Sequence, residues 1–288
     1  MKRLIVNADD FGLTPGVNAA VAELNEARAL SSATLMASAP YFAAAVHLAF
    51  VQTSLAVGCH VILVDGTPVL PAREIPSLID PDRRSSGRLR PTLGAFLRDL
   101  LRGRIREQEI EAEAAAQIRR VQTSGLHVTH VDTHKHTHVF RRVLHPLLRA
   151  AQSCGVLAIR NPFEPLWATR ATRSAGAFRR MQVHALRTRS FSFARIARQN
   201  GLRTTDGAIG VLATGALDAA ALRSLLRRMP SGAWELVCHP GYHDGALEQT
   251  RTQLRASREI ERRALLEVIP EWLDRDPAFS LIDFGQLG

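Results

Sequence analysis

The sequence predicts an α/β fold built on a parallel sheet: a TIM-like (β/α) barrel, closed or distorted, with an open doubly wound sheet as the alternative. Three observations predict it. Eight short runs of β-branched or alternating apolar residues recur along the 288 residues. Helix-like stretches separate many of them. Carboxylates, imidazoles and a guanidinium gather at the ends of those runs, and in a parallel α/β fold the strand C-termini open onto one face. Length and a hydrophobic content of 46% suit one domain over 1–288 with a sizeable core.

The first strand, Leu4–Asn7, leads into Asp9 and Asp10. Thr14 and Pro15 then open a helix, because a threonine hydroxyl accepts from the first free amides and proline suits the first turn. Strands follow at Thr34–Ala37 and Leu55–Val61, the second with His60 near its end. The irregular stretch 65–91 has the length of an inserted lid or binding loop. Ile105–Val121, rich in Ala, Glu and Arg, reads as a helix closed by Gly125. His127–Asp132 alternates β-branched residues and reads as a strand. Alternate side chains of a strand share a face, so Asp132, His134, His136 and His138 are expected to line up. Phe140–Ala151 reads as a helix, Leu157–Arg160 as a strand ending in Arg160, and 161–173 as a second irregular segment. The strands are completed by Ile209–Leu212, Glu235–His239 and Ser280–Asp283, with helices at Ala219–Arg228 and Thr252–Val268.

The net charge of +10 is almost all arginine, since only Lys2 and Lys135 are lysines. A GC-rich coding sequence explains that ratio but not the placement of charge. The segment 165–205 holds nine arginines and no acidic residue. Such a field attracts phosphate, membrane surface or nucleic acid. Within it, Ala177–Gln199 interleaves Phe178, Met181, Leu186, Phe191, Phe193 and Ile196 with basic residues, a pattern able to lie on an anionic membrane. No apolar run is long enough to span a bilayer, and Leu4-Ile5-Val6 is too short for a signal peptide. Cytoplasmic residence, peripheral at the inner membrane, is the expectation. Cys59, Cys154 and Cys238 have no CxxC spacing and are expected to be reduced and packed.

The chemistry is concentrated in Asp9-Asp10 and in Asp132-Thr-His134-Lys-His136-Thr-His138. A catalytic metal needs about three protein ligands and an open position. One carboxylate with two imidazoles suits Zn²⁺ and tolerates Mn²⁺, Co²⁺ or Ni²⁺, whereas Mg²⁺ prefers more oxygen. A second carboxylate near a bound water serves as general base, so the adjacent Asp9 and Asp10 are able to divide the two tasks. Asp132 reads better as a hydrogen-bond partner of an imidazole than as a ligand, and His130 and His138 as orienting groups. His136 is either a ligand or an outer partner.

Four ordered motifs carry a resemblance over nearly the whole chain: NADDFG at 7–12, Gly58-Cys59-His60, the DxHxHxH run at 132–138, and CHPGY at 238–242. Together they resemble the YdjC-like carbohydrate deacetylases, which include chitooligosaccharide deacetylases. The stretch VILVDGTPVLPAREIPSLID at 61–80 resembles the branch associated with hopanoid biosynthesis, linked to removal of acetyl from an N-acetylglucosaminyl hopanoid lipid. The resemblance implies one divalent ion, zinc above Mg, Mn, Co or Ni, held by Asp10, His60 and His134. It implies Asp9 as general base, His239 as proton donor or transition-state donor, and Arg160 as an orienting group. Asp132, His136 and Tyr242 would contact substrate or support the ligands. Two departures stand out: Cys59 replaces a usual aliphatic residue, and Lys135 interrupts the histidines.

Other functions fit less well. The chain has no GxSxG elbow, P-loop or dinucleotide fingerprint. A two-metal phosphoesterase needs more carboxylates than the motifs supply. A basic nucleic-acid-binding protein would need aromatic platforms among its arginines, and only Phe178, Phe191 and Phe193 qualify. The expected partner is an N-acetylated amino sugar or glycolipid, with no nucleic acid.

Overall fold

The computed structural model describes residues 1–172, 176, 180, 181, 183, 184 and 188–287, apart from the side chains of 83 and 84. Phe178, Leu186 and Arg187 of the basic segment lie outside the described residues. Among the described residues seven strands form one sheet: β1 Lys2–Phe11, β2 Ser32–Leu35, β3 Ala56–Val61, β4 Val128–Thr133, β5 Gly207–Ile209, β6 Gly232–Cys238 and β7 Phe279–Leu281. The order is β4-β3-β2-β1-β6-β5, with β7 on the first residues of β1, and every pairing is parallel. The sheet curls into a half-barrel.

The expected strand at Leu157–Arg160 explains why the barrel is not completed by regular strands. It makes only single bridges, Ile159 to Val131 and Ala158 to Arg203. Its backbone does run beside β4, with Arg160 N donating to Val131 O at 3.1 Å. Pro162 follows two residues later and has no amide to extend the ladder.

The helices pack outside the sheet. Pro15–Glu26 starts as expected, with Thr14 Oγ1 accepting from Val17 N at 3.2 Å. Ala219–Arg228 forms with the expected ends, and Glu107–Thr123, Arg141–Ser153 and Ala256–Arg275 match expected helices with shifted ends. Phe42–Val51 and Leu93–Leu101 were not anticipated, and Leu166–Ala171 interrupts the segment expected to be irregular. The stretch 65–91 is pinned by helix Glu107–Thr123: Glu113 accepts from Val69 N and Leu70 N, and Glu109 from Ser77 N at 2.6 Å. No helix among the described residues is long and apolar enough to cross a membrane.

The interior of the half-barrel is a column with distinct levels. At the N-terminal end of the strands Ile5, Ala158, Ala233, Phe284 and Leu287 form a small buried apolar cluster. His130 stacks on Phe284, ring centroids 3.7 Å apart. Gly58 makes room for that imidazole, since a Cβ there would sit 2.3 Å from it. Above lie Glu235, Arg160, Asp132 and Asp9, all buried. Alternation puts Ile5, Asn7 and Asp9 on one face of β1 and Leu4, Val6 and Ala8 on the other, the latter in the main core.

Candidate active site

Parallel register sets the site's floor. His60 lies beside Asp132 across β3 and β4, and Ala8 beside Cys238 across β1 and β6, so Asp9 and His239 follow as neighbours. Cys59 and Cys238 point the other way and are fully buried, as alternation requires.

Asp9 and Asp10 are adjacent but bonded differently. Asp9 accepts from both terminal nitrogens of Arg160, Nη2 to Oδ1 at 2.6 Å and Nη1 to Oδ2 at 2.9 Å, and from Thr34 Oγ1 and Asn7 Nδ2. Burial raises its pKa, yet the charges of Arg160, His60 and His239 outweigh burial and hold it far below the carboxylate range. Asp10 has φ 66°, a left-handed backbone that aspartate tolerates better than most residues. Its Oδ2 accepts from Arg258 Nη2 at 2.5 Å. Against burial, Arg258 and then His134 keep it well below its usual value.

Asp10 Oδ1 is buried and has no hydrogen-bond partner. It lies 3.5 Å from His134 Nδ1 and 3.7 Å from His60 Nε2, and those two nitrogens are 3.3 Å apart. Ligand atoms about 2.0–2.2 Å from a tetrahedral ion lie roughly 3.3–3.6 Å from one another. Three atoms of the right types thus have the spacing one ion needs, and this is the observation that makes a divalent cation fit. His60 Nδ1 meets Asp132 Oδ1 at 2.8 Å, which leaves Nε2 facing the shared point. Burial lowers the His60 pKa, but Asp132, Asp9 and Asp10 outweigh it and push the imidazole up to about 9. The carboxylates favour a positive charge between them, which a cation would equally supply.

Arg160 is the hub beneath. It is fully buried, bonds Asp9 and Asp132 through its terminal nitrogens, and donates from Nε to Glu235 Oε1 at 2.7 Å. His239 Nε2 is 3.8 Å from Asp9 Oδ2, and its backbone N donates to Glu261 Oε2 at 2.6 Å.

The expected row of four side chains on one strand face is not formed. β4 ends at Thr133, and His134–Val139 is a tight turn in which Lys135 and His136 take φ 58° and 50°. Asp132 and His134 still reach the site. His136 turns to the wall of the cavity, where burial and the Arg160 charge push its imidazole down to about 3. His138 instead meets Thr133 Oγ1 at 2.7 Å and packs near Phe193. His130 stays below, at Phe284. Tyr242 is not among the residues lining the cavity. Its backbone N donates to Gly16 O, and the Arg262 guanidinium covers its ring at 4.2 Å.

The cavity over this floor holds about 650 Å³. Asp9, Asp10, His60, His134 and His239 lie at its base; Leu13, Met36, Leu93 and Leu254 supply apolar wall beside His136. Lys135, which pairs with Asp65 at 2.6 Å, and Arg251 line it from the side of the 65–91 stretch. Sequence reasoning did not single out Glu235 or Arg258. Glu235 carried a signal, as the one charge inside an otherwise apolar strand. Arg258 carried none among the arginines of its helix.

An Enterococcus faecalis protein named for cellobiose-phosphate cleavage superposes with TM-score 0.79 at 24% identity, over 100% of this chain and 99% of that one, which fixes the shared fold. The carbohydrate deacetylase of Brevibacillus brevis is 31% identical over 290 residues, 99% of this chain and 100% of that protein. The carbohydrate deacetylase of Mus musculus is 31% identical over 83% of this chain and 78% of its own. Residues 3–274 match the family described as YdjC-like protein. With a match of that extent, the chain is a member of the YdjC-like family.

Proposed function

We propose that the protein is a metal-dependent N-deacetylase acting on an N-acetylglucosamine-bearing glycolipid, an N-acetylglucosaminyl hopanoid. The observation that carries the deacetylase reading is the spacing of Asp10 Oδ1, His60 Nε2 and His134 Nδ1, with Asp9 and His239 beside them. The relatives' activity on carbohydrates supports it.

A divalent ion held by Asp10, His60 and His134, zinc by its donor set, would acidify water and polarise the acetyl carbonyl. The protein's own groups do the rest. Asp9, kept ionised, accepts a proton from the attacking water. Arg160 fixes both Asp9 oxygens and so the direction of that transfer, at some expense of basicity. Asp132 holds His60 with Nε2 free. His136, neutral, offers a hydrogen bond to the sugar. His239 passes a proton to the departing amine nitrogen.

Two features favour a lipid aglycone: the stretch at 61–80 and the acid-free basic segment at 165–205. Helix Ser190–Gln199 turns Phe191, Arg195 and Arg198 outward and buries Phe193 and Ala197. Phe191 is 82% exposed. An aromatic ring between arginines suits peripheral contact with an anionic inner membrane from the cytoplasmic side.

The test is acetate release from N-acetylglucosaminyl hopanoid and from diacetylchitobiose, before and after chelation and with Zn²⁺ restored. Turnover should vanish on chelation, return with zinc, and favour the lipid in kcat/KM. Full activity without metal ends the metal reading. Equal efficiency at matched detergent makes the protein a general carbohydrate deacetylase.

A further inference from the structure

Glu235 has no role in the chemistry above, yet it occupies a costly place. It lies in the middle of β6, paired with Ile5 of β1 and Ala208 of β5, and is fully buried. Its neighbours on the strand are Trp234 and Leu236, and an apolar residue would fill the position more cheaply. Arg160 already has two carboxylates, Asp9 and Asp132. A third adds negative charge that one guanidinium cannot balance. Charge balance therefore does not explain Glu235, and its Oε2 lacks any hydrogen-bond partner.

Geometry does explain it. A guanidinium presents its donors in a fixed planar fork, so fixing one edge fixes the others. Arg160 ends a segment joined to its neighbours by single bridges rather than a regular ladder, so its long side chain depends on its own bonds for its orientation. Its Nη1 and Nη2 meet Asp9, Nη1 also meets Asp132, and only Nε remains to be anchored. Glu235 Oε1 takes that last edge at 2.7 Å, from the opposite side of the half-barrel. Asp132 in turn sets His60, so one rotation of Arg160 would disturb Asp9 and a metal-ligand partner together.

We infer that Glu235 is a positioning residue of the deacetylation site: its Oε1 fixes the Nε edge of Arg160, and the locked guanidinium aims Asp9 and braces Asp132. This rests on the deacetylase reading. What the role requires is an acceptor at that place, not a negative charge. Burial, which pushes the Glu235 carboxyl up to about 7 against the pull of Arg160, agrees with a group whose charge is dispensable.

Two conservative variants separate these requirements. Glu235→Gln keeps an acceptor at the same reach without charge. Glu235→Asp keeps the charge but shortens the side chain by one methylene. Both are assayed as zinc-loaded protein for acetate release from N-acetylglucosaminyl hopanoid and diacetylchitobiose, with bound zinc and circular dichroism measured on the same samples. Glu235→Gln should stay within about threefold of wild type. Glu235→Asp should lose kcat by about 10²-fold, the cost of misplacing a reacting group by about 1 Å, with KM within about twofold and zinc retained. Equal kcat in all three proteins overturns the proposal, as does a Gln variant as impaired as the Asp variant. A fall in zinc content matching the fall in kcat also overturns it, by making Glu235 a support of the metal site alone. Should Glu235→Asp fail to fold, Glu235→Met, which has no acceptor oxygen, takes its place beside the Gln variant: a loss of about 10²-fold in kcat with zinc retained sustains the proposal, and kcat near wild type ends it. Wild-type protein inactive on both substrates sinks the deacetylase reading instead.

Discussion

Two sets of arginines in this molecule have opposite surroundings. Arg160 and Arg258 are buried, each bonded to a carboxylate of the Asp9-Asp10 pair. Arg195 and Arg198 point outward from a stretch with no acidic residue. A bare charge count treats them alike. The first set carries charge inside a dry interior, where a missing partner is expensive. The second set meets water and salt, and only a multivalent anionic surface gives it much to bind. Position, not abundance, divides an arginine that organises buried carboxylates from one that is left to solvent.

The comparison breaks most visibly at Arg160. Arg160→Leu should destabilise the protein by about 3–5 kcal/mol, because Asp9, Asp132 and Glu235 are left facing one another without a cation. Chemical denaturation checks it; a loss under about 1 kcal/mol would mean the interior tolerates those carboxylates unaided. Removing one ligand is milder for the fold and severe for the ion. His134→Ala should leave two protein ligands and so release zinc, measured by metal analysis after desalting, with folding retained because His134 is partly exposed.

Asp9→Asn acts mainly on rate, with some loss of stability because an amide cannot accept from both Arg160 nitrogens. It should keep bound zinc and lose about 10²–10⁴-fold in kcat. Zinc lost from Asp9→Asn and kept by Asp10→Asn would exchange the tasks of the pair. The outer set should answer least in stability. Replacing Arg189, Arg195 and Arg198 together by Gln should shift unfolding by no more than about 0.5 kcal/mol. Binding to anionic liposomes should weaken by up to about 10²-fold, at roughly 1 kcal/mol per arginine near the surface. Unchanged liposome binding with lost oligonucleotide binding would assign that surface to nucleic acid.

Much of the architecture was legible because its signal is local. Strand patterns placed β1, β3, β4 and β6 within a few residues, and parallel pairing then gathers Asp9, His60, Asp132 and His239 without further assumption. The run at 132–138 was harder. Its period of two continues after Thr133, but the backbone leaves the strand there, and nothing in the letters announces left-handed φ at Lys135 and His136. Leu157–Arg160 reads as a strand because its composition is right, while the missing amide of Pro162 limits its pairing. Glu235 was visible but unexplained, since its partner lies 75 residues away in sequence. Arg258 was hidden by its own kind. Tyr242 shows the converse: adjacency to His239 in sequence does not bring a side chain to the cavity.

The aromatic ring at the far end of the column has a consequence for the reacting groups it never touches. Phe284, stacked on His130 with Ile5 and Leu287 around it, stoppers the half-barrel from below. Without it, water would have a route upward to Arg160 and its carboxylates. Their bonds would then be weakened by a higher local dielectric. The strength of the Asp9 clamp is in that sense a matter of plumbing. A short C-terminal turn, held in place by apolar contact, keeps the electrostatics of the opposite end undiluted.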